Sequence, residues 1–597
     1  MSDHDPPKFP DLSGPAADTP TVPQSVGSIF TRPVAAEQPV MADAPIVQPT
    51  TANAGWRWAV AGVATVLVVG LLGAALVLAR PGGGTPSTVA RYAPAGTVAY
   101  MELRQDLPGD QHGLLAQFMS HFPGFADQST FDQKIDEILD SLVGRGQSGI
   151  SWQQNIKPWF GGQIGVFTTT LAPASGTPPS STAVLSVKGG QKPALDAWLT
   201  PLLGSGFQQT TYQSQIIWTG ALAGSTDRVS FATTDEALLF STRVEDLQAA
   251  LDARSDRTPG LADDQFFLQQ LGALHGDRLG TFYVDSRAMA ASLGSQLGTG
   301  LPSPVIASWL VDAAAVRVVG EIRAESDHLA ITTRTERPAN ADLPPLPTNR
   351  SSTLASLVPA QSLVYVEMHD VGQAISFVLN RALAPQPGAS PAIDLNNIGQ
   401  ILGTSIPDYF DFITDVGVSY SNIDGDQLFG LVASVDDSAI AKSRVDKLLA
   451  LARTLIQFGG GVTFEAKDFN GVPGTVITFN TGTASAVGAI AVVLNGNNLI
   501  IGNEEFVAFA LDHPATASLG QRAEFQQGLN AGGVNNAGVA FIDVAALRGL
   551  VEQTMTADAR STYEANQKPF LEPLSHLMMV NTTDGTTIVS HVFLYVK

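Results

Sequence analysis

The stretches YAPAGTVAYMELRQ at residues 92–105 and LVPAQSLVYVEMHD at residues 357–370 place proline, tyrosine and glutamate in the same order and at the same spacing. The members of each matched pair are 265 positions apart: Pro94 and Pro359, Tyr100 and Tyr365, Glu102 and Glu367. Apolar residues alternate around each pair, which is typical of a β-strand with one buried face. The same strand is therefore predicted twice in this chain.

Two further pairs of stretches keep this order along the chain. ALLFSTRVEDLQAALD at residues 237–252 matches NNLIIGNEEFVAFALD at residues 497–512, at a separation of 260 positions. GTFYVDSRAMAASL at residues 280–293 matches GVAFIDVAALRGLV at residues 538–551, at a separation of 258. Such small differences are expected when the loops of a duplicated domain gain or lose residues. The repeated object is thus predicted to be a whole domain.

The duplication divides most of the chain into repeat 1 at residues 90–337 and repeat 2 at residues 354–597, joined by a proline-rich linker at residues 338–353. Short segments rich in β-branched and aromatic residues are predicted strands of repeat 1: TVAYMEL, GQIGVFTTT, TAVLSV, QIIWTG, ALLFST, LGTFYV and LAITTRT. Asn495-Gly496 and Asp584-Gly585 between apolar runs are hairpin signals. Each repeat is therefore predicted to have an α+β fold, with a mainly antiparallel sheet covered by helices, while the packing of the two repeats against each other is left open.

One of these helices is predicted from Phe131 to Val143, where apolar residues form a single stripe. Thr130 and Gln133 have the spacing of a capping box at its start.

The segment WRWAVAGVATVLVVGLLGAALVLAR at residues 56–80 carries no charge between Trp58 and Ala79. Its length suits a helix that crosses a hydrocarbon core of about 30 Å, so a single transmembrane helix is predicted here. A cleaved signal peptide is the alternative, but the apolar run is long for one and starts late. The predicted flanks at the membrane surfaces are aromatic and basic: Trp56, Arg57, Trp58 and Arg80.

Residues 1–55 are rich in proline and poor in aromatic residues, so they are predicted to form a disordered tail. Residues 81–89 are predicted to be a flexible linker after the helix. A lone apolar segment before a large domain acts as a signal anchor, which predicts a cytoplasmic tail and repeats outside the cytoplasm. The basic residues on the two sides of the segment do not fix this orientation. Small residues at four-residue spacing within the segment leave weak homo-oligomerisation open.

The formal net charge is −22, and no cluster of Lys and Arg interrupts the acidic composition. Phosphate binding needs such a cluster, so a general nucleic-acid partner is excluded. The chain has no cysteine, which excludes disulfides, thiol nucleophiles and zinc sites with cysteine ligands.

Several short motifs are too weak to predict a cofactor, a metal or a catalytic residue. GRGQSG at residues 144–149 follows a predicted helix and not a strand, so it is interpreted as a helix C-terminal loop and not as a dinucleotide site. DGDQ at residues 424–427 lacks the other ligands of a calcium loop and is interpreted as a turn. His112 and His121 are nine positions apart and do not have the spacing of a helical metal-ligand pair.

Carboxylates recur at matched positions of the two repeats. Glu102 and Glu367 could do proton chemistry, but alternation along a strand favours a solvent-facing position for both. Asp285 and Asp543 follow predicted strands and precede helices, where a carboxylate caps free backbone N–H groups. No catalytic role is assigned to any of them.

The combination of YAPAGTVAYMEL, LPGDQHGLLAQFMSHFPGF and IKPWFGGQIGVF after one apolar segment resembles the bacterial family known as domain of unknown function 3352. The resemblance is clearest in repeat 1, because repeat 2 has MHDVGQAISFVL and IPDYFDFITDVGVSY in place of the second and third elements. It implies a membrane-anchored protein outside the cytoplasm, with no assigned reaction.

The leading hypothesis is a single-pass envelope protein whose repeats bind a ligand or a protein partner, or have a structural role, without catalysis. The membrane lipid around the helix would be one partner, and an envelope ligand or protein of unknown identity the other. One alternative is a hydrolase that acts on envelope material through Asp and Glu carboxylates. Another is signalling across the membrane through the proline-rich tail.

Overall fold

The structure, a computed structural model, describes most of the chain after residue 86. The described residues are 80–81, 87–146, 151–169, 181–203, 206–221, 228–287, 316–337, 343–383, 399, 402–423, 425–456, 461–480 and 487–597. The predicted tail at residues 1–55 and the flanks Trp56, Arg57 and Trp58 lie outside them.

The described chain up to residue 337 contains twelve strands and five helices. The strands are β1 (Arg80–Pro81), β2 (Ala99–Arg104), β3 (Asp106–Leu107), β4 (Phe160–Thr168), β5 (Ser181–Val187), β6 (Gln208–Tyr212), β7 (Gln215–Ala221), β8 (Arg228–Thr233), β9 (Ala237–Ser241), β10 (Gly280–Asp285), β11 (Arg317–Ala324) and β12 (His328–Glu336). The helices are α1 (Gln111–Met119), α2 (Phe131–Gly146), α3 (Lys192–Leu203), α4 (Val244–Arg254) and α5 (Gln265–Gly272).

The described chain from residue 343 onwards contains twelve more strands and seven helices. The strands are β13 (Arg350–Ser351), β14 (Ser362–Met368), β15 (Ile413–Ile423), β16 (Asp426–Val435), β17 (Val462–Phe469), β18 (Val472–Asn480), β19 (Val487–Asn495), β20 (Asn498–Gly502), β21 (Asn535–Asn536), β22 (Gly538–Ile542), β23 (Leu574–Asp584) and β24 (Thr587–Val596). The helices are α6 (Val371–Ala382), α7 (Ser438–Ile456), α8 (Glu504–Leu511), α9 (Ala523–Gly532), α10 (Val544–Thr554), α11 (Ala557–Asn566) and α12 (Lys568–Leu571).

Twenty of the described strands form one continuous antiparallel sheet. Their spatial order is β6-β7-β8-β9-β5-β4-β2-β10-β11-β12-β24-β23-β22-β14-β15-β16-β20-β19-β18-β17. The second half of this order repeats the first half in reverse, so the halves are related by a pseudo-twofold axis between β12 and β24. The α+β class predicted from the sequence is confirmed. The sequence left open how the repeats pack against each other, and in the structure nine residue pairs join β12 to β24, so the sheets of the two repeats are continuous.

Residues directly opposite each other on paired strands share a face of the sheet, so the register defines rows that cross both repeats. One row contains Gly165, Glu102, Thr281, Glu321, Thr332, His591, Val580, Val539, Glu367 and Gly417. We call the face with this row face A, and the opposite face, with Met101 and Met368, face B. Thr332 and His591 lie at the pseudo-twofold axis, where the Thr332 hydroxyl and His591 Nδ1 are 3.2 Å apart.

Each repeat buries its own apolar cluster on face A. In repeat 1 this cluster includes Tyr100 and Tyr283 with residues of α4 and α5. In repeat 2 it includes Tyr365 with residues of α8 and α9. On face B a third cluster joins the repeats, because it contains Phe131 and Trp159 as well as residues of β23 and β24. The two repeats are therefore connected by packing as well as by the sheet.

The predicted transmembrane helix at residues 56–80 requires correction. Residues 56–79 lie outside the described part, but Arg80, its predicted last residue and flank, lies in strand β1 and pairs with Asp106 in a parallel arrangement. In the described part of the chain no helix combines the length and the apolar composition that a membrane span requires.

Several local predictions can be compared directly with the structure. The seven segments predicted as strands of repeat 1 fall on β2, β4, β5, β7, β9, β10 and β12, and the two predicted hairpins connect β19 to β20 and β23 to β24. The predicted helix after Thr130 is α2. Its predicted capping box is wrong, because Thr130 belongs to a preceding 3-10 turn and Asp127 accepts the backbone N–H of Ser129.

Candidate functional site

Glu102 is buried, with 3% of its surface exposed, and the predicted solvent-facing position is wrong. Strand β2 places Tyr100 and Glu102 on face A, two residues apart, under helix α5. Glu102 Oε2 accepts hydrogen bonds from the Tyr100 hydroxyl at 2.8 Å and from the Ser87 hydroxyl at 2.7 Å. The side chain of Tyr100 is 2% exposed, and its burial together with Glu102 raises its pKa well above the ordinary value. Tyr100 therefore remains a neutral donor to the carboxylate.

The same cluster occurs in repeat 2. Glu367 is 1% exposed, and its Oε2 accepts hydrogen bonds from the Tyr365 hydroxyl at 2.6 Å and from the Ser352 hydroxyl. Glu367 Oε1 also accepts the backbone N–H of Thr353 at 3.3 Å. Burial, followed by the charge of Glu367, raises the pKa of Tyr365 well above its ordinary value. The sequence pairs Tyr100/Tyr365 and Glu102/Glu367 thus have the same hydrogen-bond geometry.

A glycine lies opposite each glutamate, and the space above it is filled. Gly165 pairs with Glu102, and a Cβ atom there would lie 2.9 Å from the side chain of Val89. Gly417 pairs with Glu367, and a Cβ atom there would lie 3.0 Å from the Tyr365 hydroxyl. Because glycine has no side chain, the segment that covers face A can reach the sheet in both repeats.

Glu102 and Glu367 do not form a catalytic pair. They lie in the same row of face A, but β10, β11, β12, β24, β23 and β22 separate their strands. Seven strand spacings of about 4.8 Å each lie between them. Two carboxylates that share one substrate bond lie within about 10 Å of each other. The geometry therefore gives no support to the alternative of a hydrolase that uses this pair.

A second buried cluster surrounds His369, the residue that follows β14. His369 Nδ1 lies 2.9 Å from Asp415 Oδ1, and the guanidinium of Arg350 contacts Asp415, Asp370 and His369. Burial alone would raise the pKa of Asp415, but hydrogen bonds from His369 and Arg350 outweigh it and lower the pKa. The chain before Ser352, which contributes Arg350, therefore fills the space beside His369 in repeat 2. The sequence analysis missed this cluster, although His369 and Asp370 end the stretch that revealed the duplication.

The two matched aspartates have different surroundings. Asp543 caps α10, since its Oδ1 accepts the backbone N–H of Ala546 at 2.7 Å, which confirms the predicted role. Its Oδ2 also accepts from Arg522 at 2.6 Å. Asp285 accepts the backbone N–H of Arg287 at 3.1 Å, but the residues from 288 to 315 lie outside the described part, so a cap on a complete helix stays a prediction there.

The histidines and glycine motifs considered in the sequence have ordinary local roles. His112 Nε2 lies 2.9 Å from Asp132 Oδ1, and His121 Nδ1 lies 3.0 Å from the carbonyl oxygen of Phe118. Residues 144–146 are the last turn of α2, so the dinucleotide motif has no strand before it. Asp424 of the DGDQ stretch lies outside the described residues, but Gly425 lies in the turn that connects β15 to β16, as predicted. Within the described ranges no three potential metal ligands cluster.

A groove of about 810 Å³ lies on face B of repeat 2. Strands β12, β24, β23, β22 and β14 form its floor, and helix α6 forms one wall. The floor and the wall present mainly apolar side chains: Val366, Met368, Met579 and Ile588 from the sheet, and Ala374, Ile375, Val378 and Leu379 from the helix. The volume and the lining are those of a site for a small apolar molecule.

The groove exists because the first helix after the repeated strand is placed differently in the two repeats. In repeat 1 the buried side chain of Gln111 exchanges two hydrogen bonds with the backbone of Ala324, which holds α1 over β11. In repeat 2, α6 packs beside β15 and the turn before it. Gly372 permits this position, because a Cβ atom there would lie 2.4 Å from the carbonyl oxygens of Phe410 and Ile413. Strands β22 and β23, which correspond to β10 and β11 of repeat 1, therefore face the groove.

One end of the groove is polar. Asn581, Thr583 and Ser590 line the floor there, and Pro344 and Pro347 of the interrepeat linker border it. The linker is held in place at Asn349, whose side chain donates to the Thr583 carbonyl at 2.8 Å and accepts the Thr583 N–H at 2.9 Å. The groove thus combines an apolar floor and wall with a small polar end.

The chain belongs to the family described as Protein of unknown function (DUF3352), which matches residues 59–595 and confirms the resemblance found in the sequence. No curated protein matches the chain in sequence. Crystal form I of TP0453 aligns with a TM-score of 0.22 and 8% identity, covering 43% of this chain and 82% of that chain. Crystal form IV of TP0453 aligns with a TM-score of 0.22 and 7% identity, covering 42% and 81%. At these TM-scores the likeness supports no conclusion about fold or function.

Proposed function

We propose that this DUF3352 protein is a non-catalytic binding protein whose ligand is a small elongated apolar molecule with one polar end. The observation that carries the proposal is the groove of about 810 Å³ between α6 and face B of repeat 2. The apolar part of the ligand lies against Met368 and Met579, and its polar end lies near Asn581 and Thr583.

The groove is suited to a flexible ligand. Met368 is 49% exposed at its floor, which leaves apolar area that a ligand would cover. Methionine side chains adapt to different shapes, because they are unbranched and have three rotatable bonds. Burial of each methylene group contributes about 0.8 kcal/mol, so a ligand that buries about six of them gains about 5 kcal/mol before the entropy cost of binding.

The groove offers no chemistry beyond binding. Apart from Glu367 and His369, its polar side chains are amides and hydroxyls. The Glu367 carboxylate accepts hydrogen bonds from Tyr365 and Ser352 on face A, so it is not placed to act as a base in the groove. The His369 ring is completely buried and bonded to Asp415, so it is not presented to the groove. These features favour binding over turnover.

The test is a substitution that fills the groove. Ala374 lies on the wall, so Ala374→Trp would occupy space that the ligand needs. Dansyl-labelled undecanoic acid is titrated into the purified full chain, and binding is followed by the increase and blue shift of dansyl emission. We expect the wild type to bind the probe and Ala374→Trp to bind it at least tenfold more weakly, about 1.4 kcal/mol.

The matched control is Gln373→Trp, which adds the same side chain to the adjacent, exposed position of α6. It should leave the affinity for the probe unchanged. Equal affinity of the wild type and Ala374→Trp would remove the groove as the binding site, and no binding by the wild type would end the proposal. A location of the repeats outside the cytoplasm stays a prediction of the sequence.

A further inference from the structure

A polar cavity of about 440 Å³ lies beside Glu102 on face A of repeat 1, on the opposite side of the sheet from the apolar groove. The side chains that matter for its chemistry are Ser87, Glu102, Arg104, Asp277, Arg278 and Thr281. Thr281 follows Glu102 in the row across face A and is 4% exposed. The cavity therefore has a buried floor with charged groups of both signs around it.

Two of these groups have buried polar atoms without a hydrogen-bond partner in the described part of the chain. Glu102 Oε2 is fully used by Tyr100 and Ser87. The buried Oε1 accepts no hydrogen bond and has Arg104 Nε, 4.0 Å away, as an ion-pair partner. The buried Nη1 of Arg278 donates none. Leaving such groups unpaired costs stability, so both are suited to a partner from outside. One offers an acceptor with negative charge and the other a donor with positive charge.

The matched positions of repeat 2 show what closes such a site. The residues 258 positions after Arg278 and Thr281 are Asn536 and Val539, which removes one charge and one hydroxyl. Strand β21, which contains Asn536, pairs with β13, so the chain before Ser352 lies over this place. There Glu367 Oε1 has a partner in the backbone N–H of Thr353. The chain of repeat 2 thus donates a hydrogen bond to both oxygens of its carboxylate, whereas repeat 1 leaves one oxygen without a hydrogen bond.

From this difference we infer that the cavity of repeat 1 binds a free amino acid. The ammonium group of the ligand donates to Glu102 Oε1, and its carboxylate accepts from Arg278 Nη1. A zwitterion is favoured over a simple anion, because a second carboxylate near Glu102 and Asp277 would be repelled. It is favoured over a simple amine, because Arg278 would then remain unpaired. Arg104 is held by Asp106 at 3.0 and 3.2 Å and serves as a fixed positive wall.

The experiment is isothermal titration calorimetry of the full chain with glycine, L-serine, L-leucine and L-glutamate, followed by the amine and the carboxylic acid that correspond to the best ligand. We expect at least one amino acid to bind with a dissociation constant below about 1 mM, and both analogues to bind at least tenfold more weakly. Arg278→Gln should weaken the amino acid at least tenfold, while Glu102→Gln should reduce its advantage over the carboxylic acid analogue.

Two variants serve as matched controls. Glu367→Gln changes the corresponding carboxylate of repeat 2, and Arg323→Gln changes a neighbouring arginine that does not line the cavity; both should bind as the wild type does. Absence of heat with every amino acid, or unchanged binding by Arg278→Gln, would overturn the inference. Arg278 is only half-buried, so its variant remains informative if Glu102→Gln does not fold. Ala374→Trp should not affect amino acid binding, which separates this outcome from that of the apolar groove.

Discussion

Removing one hydroxyl group from repeat 2 should destabilise repeat 1. The substitution is Tyr365→Phe, which keeps the ring against Phe525, at a centroid distance of 5.9 Å, and removes the hydrogen bond of 2.6 Å to Glu367. A buried hydrogen bond to a charged group contributes about 1.5–3 kcal/mol. Glu367 keeps Ser352 and Thr353 as donors, so the expected loss in the free energy of unfolding is about 2 kcal/mol.

This loss in the free energy of unfolding should affect both repeats, because separating them would cost a large amount of free energy. Leu574, Leu594 and Val596 of repeat 2 are buried in the face B cluster that also contains Phe131 and Trp159 of repeat 1. Exposing these three side chains would cost about 5–9 kcal/mol, apart from the ladder between β12 and β24. Unfolding of repeat 2 alone is therefore unfavourable.

The chain contains its own reporter for this coupling, since all seven tryptophans lie at or before residue 309. Urea unfolding of the full chain is followed by tryptophan fluorescence, which reports the part up to residue 309, and by far-UV circular dichroism, which reports both repeats. We expect both signals to shift to the same lower urea concentration in Tyr365→Phe. The argument is refuted if circular dichroism shows an earlier transition while the fluorescence transition stays where it is in the wild type.

Two other predictions concern acid stability and the joint between the repeats. Burial lowers the pKa of His576 from 6.5 to about 4, and the charge of Glu524 offsets only part of this effect. The unfolded chain therefore binds the proton more tightly than the folded chain does. The free energy of unfolding should consequently fall as the pH drops from 6.5 towards 4. His576→Phe, which can still stack on Tyr595 as the imidazole does at 4.3 Å, should have a flatter pH profile of the melting temperature, and an unchanged slope would contradict the assignment. A chain that ends at residue 337 would expose β12 as an edge and lose the packing partners of Ile322 and Leu329, so it should dimerise or aggregate in size-exclusion chromatography; a stable monomer would contradict the role of the joint.

Local sequence patterns predicted local structure well. The segments TVAYMEL and LAITTRT are strands because their β-branched and aromatic residues fit a pleated surface. Strands β8 and β11 were not predicted, although RVSFAT and RVVGEIRA have a similar composition. The cap at Asp543 was predicted because capping depends on residues within one helical turn.

Features that depend on distant contacts could not be predicted in this way. Alternation puts Tyr100 and Glu102 on one face of β2, but it does not say that α5 and the segment from Val89 cover that face. The continuous sheet depends on contacts between β12 and β24, about 260 positions apart, and a repeat pattern is equally compatible with separate domains. The parallel pairing of Arg80 with Asp106 likewise has no signal in the apolar run before it.

The pseudo-twofold axis at Thr332 and His591 has a consequence for how the two halves can change. In a dimer of identical subunits every substitution is made twice, so a residue that suits one subunit is imposed on the other. Joining the halves in one polypeptide removes this restriction everywhere, including the axis itself, where threonine faces histidine. Arg104 can thus stand where the other half has His369, and Gln163 where it has Asp415. Covalent duplication therefore lets repeat 2 keep charged groups that pair with one another, while repeat 1 has different residues at the matched positions.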